Sequence, residues 1–453
     1  MLSPEALTLA EAKVPRYTSY PTAPHFSPAI GPAHASRWME AIDDTQPVSI
    51  YIHVPFCEKL CWYCGCNTSI ASKYGPIHHY FQTLLQEIAL ARRAIGRKLR
   101  AGHVHLGGGT PNALNAADLA SLARVLRDSF RFDSDTRFEI EIDPRTLDDA
   151  QIQALKEAGV TRVNLGIQDF DLRVQQAINR IQPFELVAEK LAKLRAAGIA
   201  QIGMDLIYGL PHQSAETIEA TIDQSTELGA ERIALFGYAH VPWMKPHQKL
   251  LEPEGLPGMR ERMTLVEAAH KRLAARGYTR IGIDHFAYPD DEMARAQREG
   301  RLRRNFQGYT TDMADALIGF GPSAISAYAQ GYAQNHTRID QWREAVERDL
   351  VPVVRGIQIT DEDRLRRAVI ERLMCDMEVD LDAVCRAHNA SSHALDHFRD
   401  ELGRLDFMVR GGLVTVDGTN LRIPEPAQNF VRVVASCFDQ YLDNSKAKHS
   451  VAV

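Results

Sequence analysis

The chain has 453 residues, 45% of them hydrophobic and 24% charged, with a formal net charge of −6. That length supports one large domain plus a smaller one, and the slight acidity argues against a general nucleic-acid coat, which needs a basic excess. No run of about 18 apolar residues occurs and the N-terminus lacks a secretory pattern, so a soluble protein of the reducing cytoplasm is expected, with no membrane insertion. Residues 1–47 read as an N-terminal arm packed on the main domain, marked by the proline-bracketed run P-R-Y-T-S-Y-P at 15–21.

From residue 49 onward, short apolar runs alternate with longer stretches of helical period. Strands are predicted at 50–54, 103–106, 138–142, 162–166, 202–207, 232–236, 281–284 and 316–320. Helices are predicted at 80–95, 118–130, 150–158, 184–197, 215–228 and 260–275, with Gly159, Gly198 and Gly229 as stops. This alternation predicts an α/β fold over 48–355, a parallel sheet with right-handed crossovers that is either a barrel or doubly wound. Residues 356–453 read as a smaller, mostly helical domain: helices at 362–374, 381–386 and 392–405, a hairpin at 413–416 and 421–423, and a last helix at 427–442. The pattern is winged-helix-like, but its third helix carries as many acids as bases, which favours a lid or docking role over DNA binding.

Four of the seven cysteines, Cys57, Cys61, Cys64 and Cys66, fall within ten residues just after the first predicted strand. Three readings compete. Soft thiolates at C-x-x-x-C-x-x-C spacing can hold three irons of a [4Fe–4S] cube and leave the fourth open. A structural zinc knuckle needs a second ligand pair about a dozen residues away, and none exists. A disulfide or redox C-x-x-C leaves Cys66 without a partner. The spacing favours the open cluster. Other candidates follow the strands: Gly107-Gly108-Gly109-Thr110-Pro111 is a backbone-open turn, and alternation puts Glu139, Glu141 and Asp143 on one face. Gln168, Arg180 and Ala239 come after later strands and Asp205 lies within the one at 202–207, and barrel folds gather residues following the strands at one rim. His103 and His105 read as structural, and Arg303-Arg304 suits carboxylates or a basic surface loop.

The cysteine run resembles the cluster loop of the radical S-adenosylmethionine (SAM) superfamily. With Cys66 in C-G-C-N, the P-R-Y-T-S-Y-P arm, G-I-D-H-F-A at 282–287 and R-R-N-F-Q-G-Y at 303–309, residues 15–443 are similar to the oxygen-independent coproporphyrinogen III oxidase family. The resemblance implies an incomplete (β/α)6 barrel open along one side, with Cys57, Cys61 and Cys64 holding a [4Fe–4S] cluster. It implies that Tyr51, Gly108, Glu141 and Ile325 contact the SAM at the cluster. Tyr63, Gly109, Thr110, Gln168, Arg180, Asp205 and Ala239 would contact a second SAM. Tyr51, Glu141 and Cys66 are the candidate catalytic residues, the role of Cys66 being open between substrate-side work and packing. Arg16 would meet an anionic substrate. The implied reaction turns two propionates of coproporphyrinogen III into vinyl groups, with electrons from a flavodoxin- or ferredoxin-type protein and the enzyme a monomer. Related haem-binding chaperones share the loop but carry Phe at the position of Cys66 and lack the arm. Methyl transfer is a further radical SAM alternative.

Overall fold

The computed structural model describes residues 8–390 and 393–442. Its centre is a twelve-stranded sheet: β1 (Val48–Val54), β2 (Ala101–Gly108), β3 (Arg137–Ile142), β4 (Arg162–Gln168), β5 (Gln201–Tyr208), β6 (Arg232–Gly237), β7 (Thr279–Ile281), β8 (His285–Ala287), β9 (Leu317–Phe320), β10 (Ile325–Tyr328), β11 (Gly331–Asn335) and β12 (Val353–Gln358). The spatial order is β12-β11-β10-β9-β1-β2-β3-β4-β5-β6-β8-β7. Strands β1 to β6 pair in parallel in chain order, and β9 adds a seventh parallel strand beside β1. β7 and β12 do not pair with each other, so the barrel stays open on one side.

The crossovers are helices α1 (Tyr74–Ile95), α2 (Ala116–Ser129), α3 (Asp149–Ala158), α4 (Phe184–Ala196) and α5 (Ala215–Glu227), with α6 (Met259–Ala275) after β6. Strand alternation decides what each face does. Ile50, Ile52 and Val54, Val104 and Leu106, and Ile140 and Ile142 are buried in the apolar layer that also holds the helices' Leu84, Ile88, Leu122 and Leu126. Each such side chain contributes about 1.5–3 kcal/mol of burial. The intervening positions, among them His103, His105, Glu139, Glu141, Asn164 and Asp205, line the barrel interior.

Five expectations need correction. The predicted strand at 281–284 is a turn between β7 and β8, because Gly282 takes the left-handed φ of 57° and reverses the chain. β12 carries the large sheet past the expected boundary at 355, and the helical unit starts with α7 (Asp361–Asp376), capped by Thr360. The last helix shortens to a 3₁₀ turn, Glu425–Phe430, and α8 (Val431–Ser436). The hairpin is Thr415–Asp417 with Asn420–Arg422, and Glu378–Asp380 adds a third strand. The predicted helix at 392–405 begins at a residue outside the described ones; from 394 it is two helices, Ala394–His397 and Arg399–Arg410.

The arm divides. Trp38 and Met39 join the barrel core, whereas Ala10, Val14, Tyr17 and Tyr20 are buried among Leu373, Phe398, Phe430 and Phe438 of the C-terminal unit. The Tyr17 hydroxyl donates to Asp439 (3.1 Å), and the Gln440 amide donates to the Tyr20 hydroxyl (3.1 Å). The first part of the arm therefore belongs to the C-terminal core, not to the barrel on which it was expected to pack.

Candidate functional site

At the C-terminal ends of the parallel strands lies a cavity of about 670 Å3. It is lined by all four clustered cysteines and by Tyr63, Gly108, Gly109, Thr110, Glu141, Gln168, Arg180, Asp205 and Ala239. Val14, Pro15, Arg16 and Pro24 of the arm also face it.

The cysteine loop is fastened from several directions. Phe56–Cys57 pairs with Ser69–Ile70. The Thr110 amide donates to the Phe56 carbonyl (2.8 Å), and the Gly109 amide to that of Val54 (2.8 Å). Trp62 N donates to the Ile178 carbonyl (3.0 Å), and the Asn179 amide group to that of Leu60 (2.8 Å). After β6, Lys245 Nζ donates to the Cys66 carbonyl (2.6 Å), His247 Nε2 to that of Cys64 (2.8 Å) and Gln248 Nε2 to that of Tyr63 (2.9 Å). Among the described residues no two cysteines are joined in a disulfide.

The charges around the sulfurs are uneven. The Cys66 thiol donates to Cys64, and this bond, with Lys245 and Arg180 nearby, outweighs burial and brings Cys64 down to about 6. The same bond and burial hold Cys66 well up. Burial pushes Cys57 to about 11 despite the Thr68 hydroxyl 3.4 Å from its sulfur. Arg145 Nη2 (3.7 Å) and Arg180 Nη1 (3.6 Å) both donate to Cys61 Sγ. Both guanidinium groups also hold Asp143, at 2.6 and 3.3 Å, and offset its burial so that its carboxyl stays below the usual range.

A single zinc ion would draw its sulfurs to within about 4 Å of each other, given Zn–S bonds of about 2.3 Å. Among the described residues, the trio with ligand atoms within 4.8 Å of one another is His103, His105 and Glu139, not the cysteines. Three thiols around a roomy cavity fit a larger body, and the donor set suits an iron–sulfur cluster. The histidine trio is a charge network instead. His103 lies 3.4 Å from Glu139, and the carboxylates around both rings more than offset burial to raise them to about 9.

Glu141 stands where that network meets the cavity. Its Oε1 is 3.1 Å from His105 Nε2, and its Oε2 accepts from the Gly108 amide (3.1 Å). These partners outweigh burial and keep it ionised. Asp205 is raised to about 7 by burial and by Glu141, so the two neighbouring carboxyls shift in opposite directions. Gln168 ends β4 at a left-handed φ of 71°, a conformation that costs energy and recurs at ligand sites.

Two expected residues do not line the cavity. Tyr51 lies behind it, its ring stacked on His105 (5.9 Å between centroids) and its hydroxyl 3.1 Å from His53 Nδ1. Ile325 opens β10, with its carbonyl against Gly319, the register partner of Tyr51. Sequence reading missed Arg145, Lys245, His247 and Gln248; their loops carry no periodic signal, and only the C-x-x-x-C run hinted that supports must exist.

With that geometry in place, comparison with known proteins is informative. The radical SAM superfamily profile matches residues 51–224. The oxygen-independent coproporphyrinogen III oxidase of Bradyrhizobium diazoefficiens is 44% identical over 448 residues, 99% of each chain. The chain belongs to the oxygen-independent coproporphyrinogen III oxidase family. Its Escherichia coli K12 member is 37% identical over 94% of this chain and 93% of its own. The solved structure of the Escherichia coli coproporphyrinogen III oxidase, described as a radical SAM enzyme, superposes with a TM-score of 0.89, covering 94% of this chain and 98% of that one. The fold is thus of the radical SAM type, and such enzymes use a [4Fe–4S] cluster and SAM. These relatives carry the oxidase name and lend the chaperone alternative no support. Among the described residues, no helix is long and apolar enough to cross a membrane.

Proposed function

We propose that this chain oxidises coproporphyrinogen III without oxygen, converting two propionates to vinyl groups and yielding protoporphyrinogen IX. At each propionate the β-carbon loses a hydrogen atom; CO2 and one electron then leave. The observation that carries the reading is the cysteine loop facing one large cavity, in a chain matched end to end by oxidases of that name.

Cys57, Cys61 and Cys64 would hold the cluster, and the cavity they line would take SAM beside it. Together the two supply a strong one-electron reductant and a carbon-centred acceptor for a hydrogen atom. The rest is work for the protein. Glu141, fixed by His105 and Gly108, accepts hydrogen bonds from ribose hydroxyls, and Tyr51 and Ile325 back that position. Gly108, Gly109 and Thr110 offer open backbone to an amino-acid moiety. Tyr63, Gln168, Arg180, Asp205 and Ala239 suit a second SAM, since they line the same 670 Å3 space. Cys66, whose surface opens into the cavity, would act on the substrate side. Val14, Pro15 and Pro24 cover the cavity and keep water from a reactive carbon centre. We further propose a monomer in the cytoplasm, supplied by a flavodoxin or ferredoxin, with residues 8–47 as arm and the C-terminal helical unit as a docking lid.

The test is anaerobic turnover of coproporphyrinogen III with SAM and reductant by the reconstituted enzyme. Protoporphyrinogen IX, CO2 and 5′-deoxyadenosine are expected. S-adenosylhomocysteine as the nucleoside product, or haem binding without turnover, overturns the reading.

A further inference from the structure

Beside the main cavity is a side chamber of about 60 Å3. The two share Arg16, Phe236, Gly237, Tyr238 and Ala239 as lining, so the chamber is a recess of the larger space. It is far too small for a macrocycle. Four guanidinium groups line it, from Arg16 of the arm, Arg262 of α6, Arg304 of the 303–305 strand and Arg432 of α8. The one carboxylate in the lining is Asp284.

That carboxylate is already engaged: His285 Nδ1 is 2.7 Å from it, and Arg304 Nη2 is 4.0 Å away. Arg304 packs over the Tyr309 ring at 4.5 Å, and its buried Nη1 has no hydrogen-bond partner. Its Nε reaches only the Arg16 carbonyl, at 3.4 Å. Burying like charges together is costly without counter-charge, by several kcal/mol per ion. The strain shows in proton affinity: burial first, then Arg16, brings Arg432 down to about 10, and burial with Arg304 and Arg262 lowers Arg16. Four elements distant in sequence bring cations to one recess that has a single acid. A bound anion would settle that imbalance, and the guanidinium fork matches a carboxylate.

We propose that Arg16, Arg262, Arg304 and Arg432 form a socket for one propionate carboxylate of the substrate, fixing how the macrocycle lies in the main cavity. This rests on the functional reading above. A substrate with several identical acid arms needs a rigid contact to choose which carbon is presented, and a recess sized for one acid tail provides it. The arm contributes Arg16, so substrate binding and arm docking are one event.

The test uses reconstituted holoenzyme under anaerobic conditions, comparing Arg16→Gln and Arg432→Gln with Arg303→Gln. Arg303 is bound to Glu371 (3.4 Å), away from the socket. KM for coproporphyrinogen III should rise at least about tenfold in the first two, given about 1.5–3 kcal/mol per charge-assisted hydrogen bond, and stay at the wild-type value in Arg303→Gln. Arg16→Lys should recover part of the loss. Arg16 lines the open main cavity as well as the recess, so its variants test the idea even where Arg432→Gln fails to take up a cluster. The socket is refuted if Arg16→Gln keeps the wild-type KM, or if KM for SAM rises instead, which would make the bound carboxylate that of SAM. Wild-type enzyme without porphyrinogen turnover would sink the functional reading itself, a separate outcome.

Discussion

Gly109→Ala is the sharpest probe of how the glycine turn supports the cysteine loop. A methyl group at 109 would stand 2.5 Å from Thr68 Oγ1, 2.6 Å from the Phe56 carbonyl oxygen and 2.8 Å from the Phe56 nitrogen. Thr68 can rotate, but Phe56 is backbone, tied by the bond from the Thr110 amide. Ordinary contact begins at 3.4 Å, so the Phe56 carbonyl must retreat from 2.6 Å by about 0.8 Å. Cys57 is the next residue and moves with it. Overpacking of this kind costs about 1–3 kcal/mol, or ~1–3 °C in Tm for a chain of this length. The larger effect is on function, because a site held within about 0.5 Å does not tolerate such a shift. Iron per chain after anaerobic reconstitution and SAM cleavage should therefore fall more steeply than Tm. Gly75→Ala is the matched control: it lies in α1, and its methyl group meets nothing within 4 Å. Gly109→Ala with the iron content, cleavage rate and Tm of that control would refute the reasoning.

Three more outcomes are expected. Glu87, wholly buried, accepts bonds from Gly321 N (2.7 Å), Asn335 Nδ2 (2.7 Å) and Trp342 Nε1 (3.0 Å), yet burial lifts it from 4.5 to about 7. The folded state thus binds the proton more tightly, and stability attributable to Glu87 falls as pH rises from about 4.5 to 7, by about 3 kcal/mol in total. Urea melts at pH 5 and 8 should show most of that difference in the wild type and lose it in Glu87→Gln. Tyr17→Phe removes the bond to Asp439 between the arm and the C-terminal unit and should cost about 1–3 kcal/mol in the same melts; an unchanged midpoint would mean that the contact carries no weight. Finally, Cys57→Ala, Cys61→Ala and Cys64→Ala should each abolish iron uptake while Cys66→Ser retains it. Iron lost in Cys66→Ser would make Cys66 a fourth ligand and close the open position.

The parallel strands were legible because each has one apolar face, as in Ile50, Ile52 and Val54, and because Gly159 stops α3 in a left-handed conformation (φ 71°). Glu141 was legible from the alternation of Glu139, Glu141 and Asp143, whereas Asp205, inside β5, was assigned by resemblance. The antiparallel flank was not: 325–335 reads I-S-A-Y-A-Q-G-Y-A-Q-N, too mixed to show a period, so Ile325 was assigned by resemblance alone. Arg145 escaped notice because its meaning comes from Cys61, 84 positions away. The socket arginines were half legible. Arg16 and Arg304 stood out, whereas Arg303 turned to Glu371, and nothing local in the sequence ties Arg262 or Arg432 to them.

The interlock of Tyr17 and Tyr20 with Asp439 and Gln440 has a consequence for biosynthesis. During translation the cysteine loop and the parallel strands emerge long before residues 439 and 440, so a partial chain can present its thiols while the arm still has no seat. A ribosome stalled late, or a protease that trims the C-terminal unit, removes the seat of Tyr17 and Tyr20 and with it the hold on the neighbouring Arg16 at the cavity.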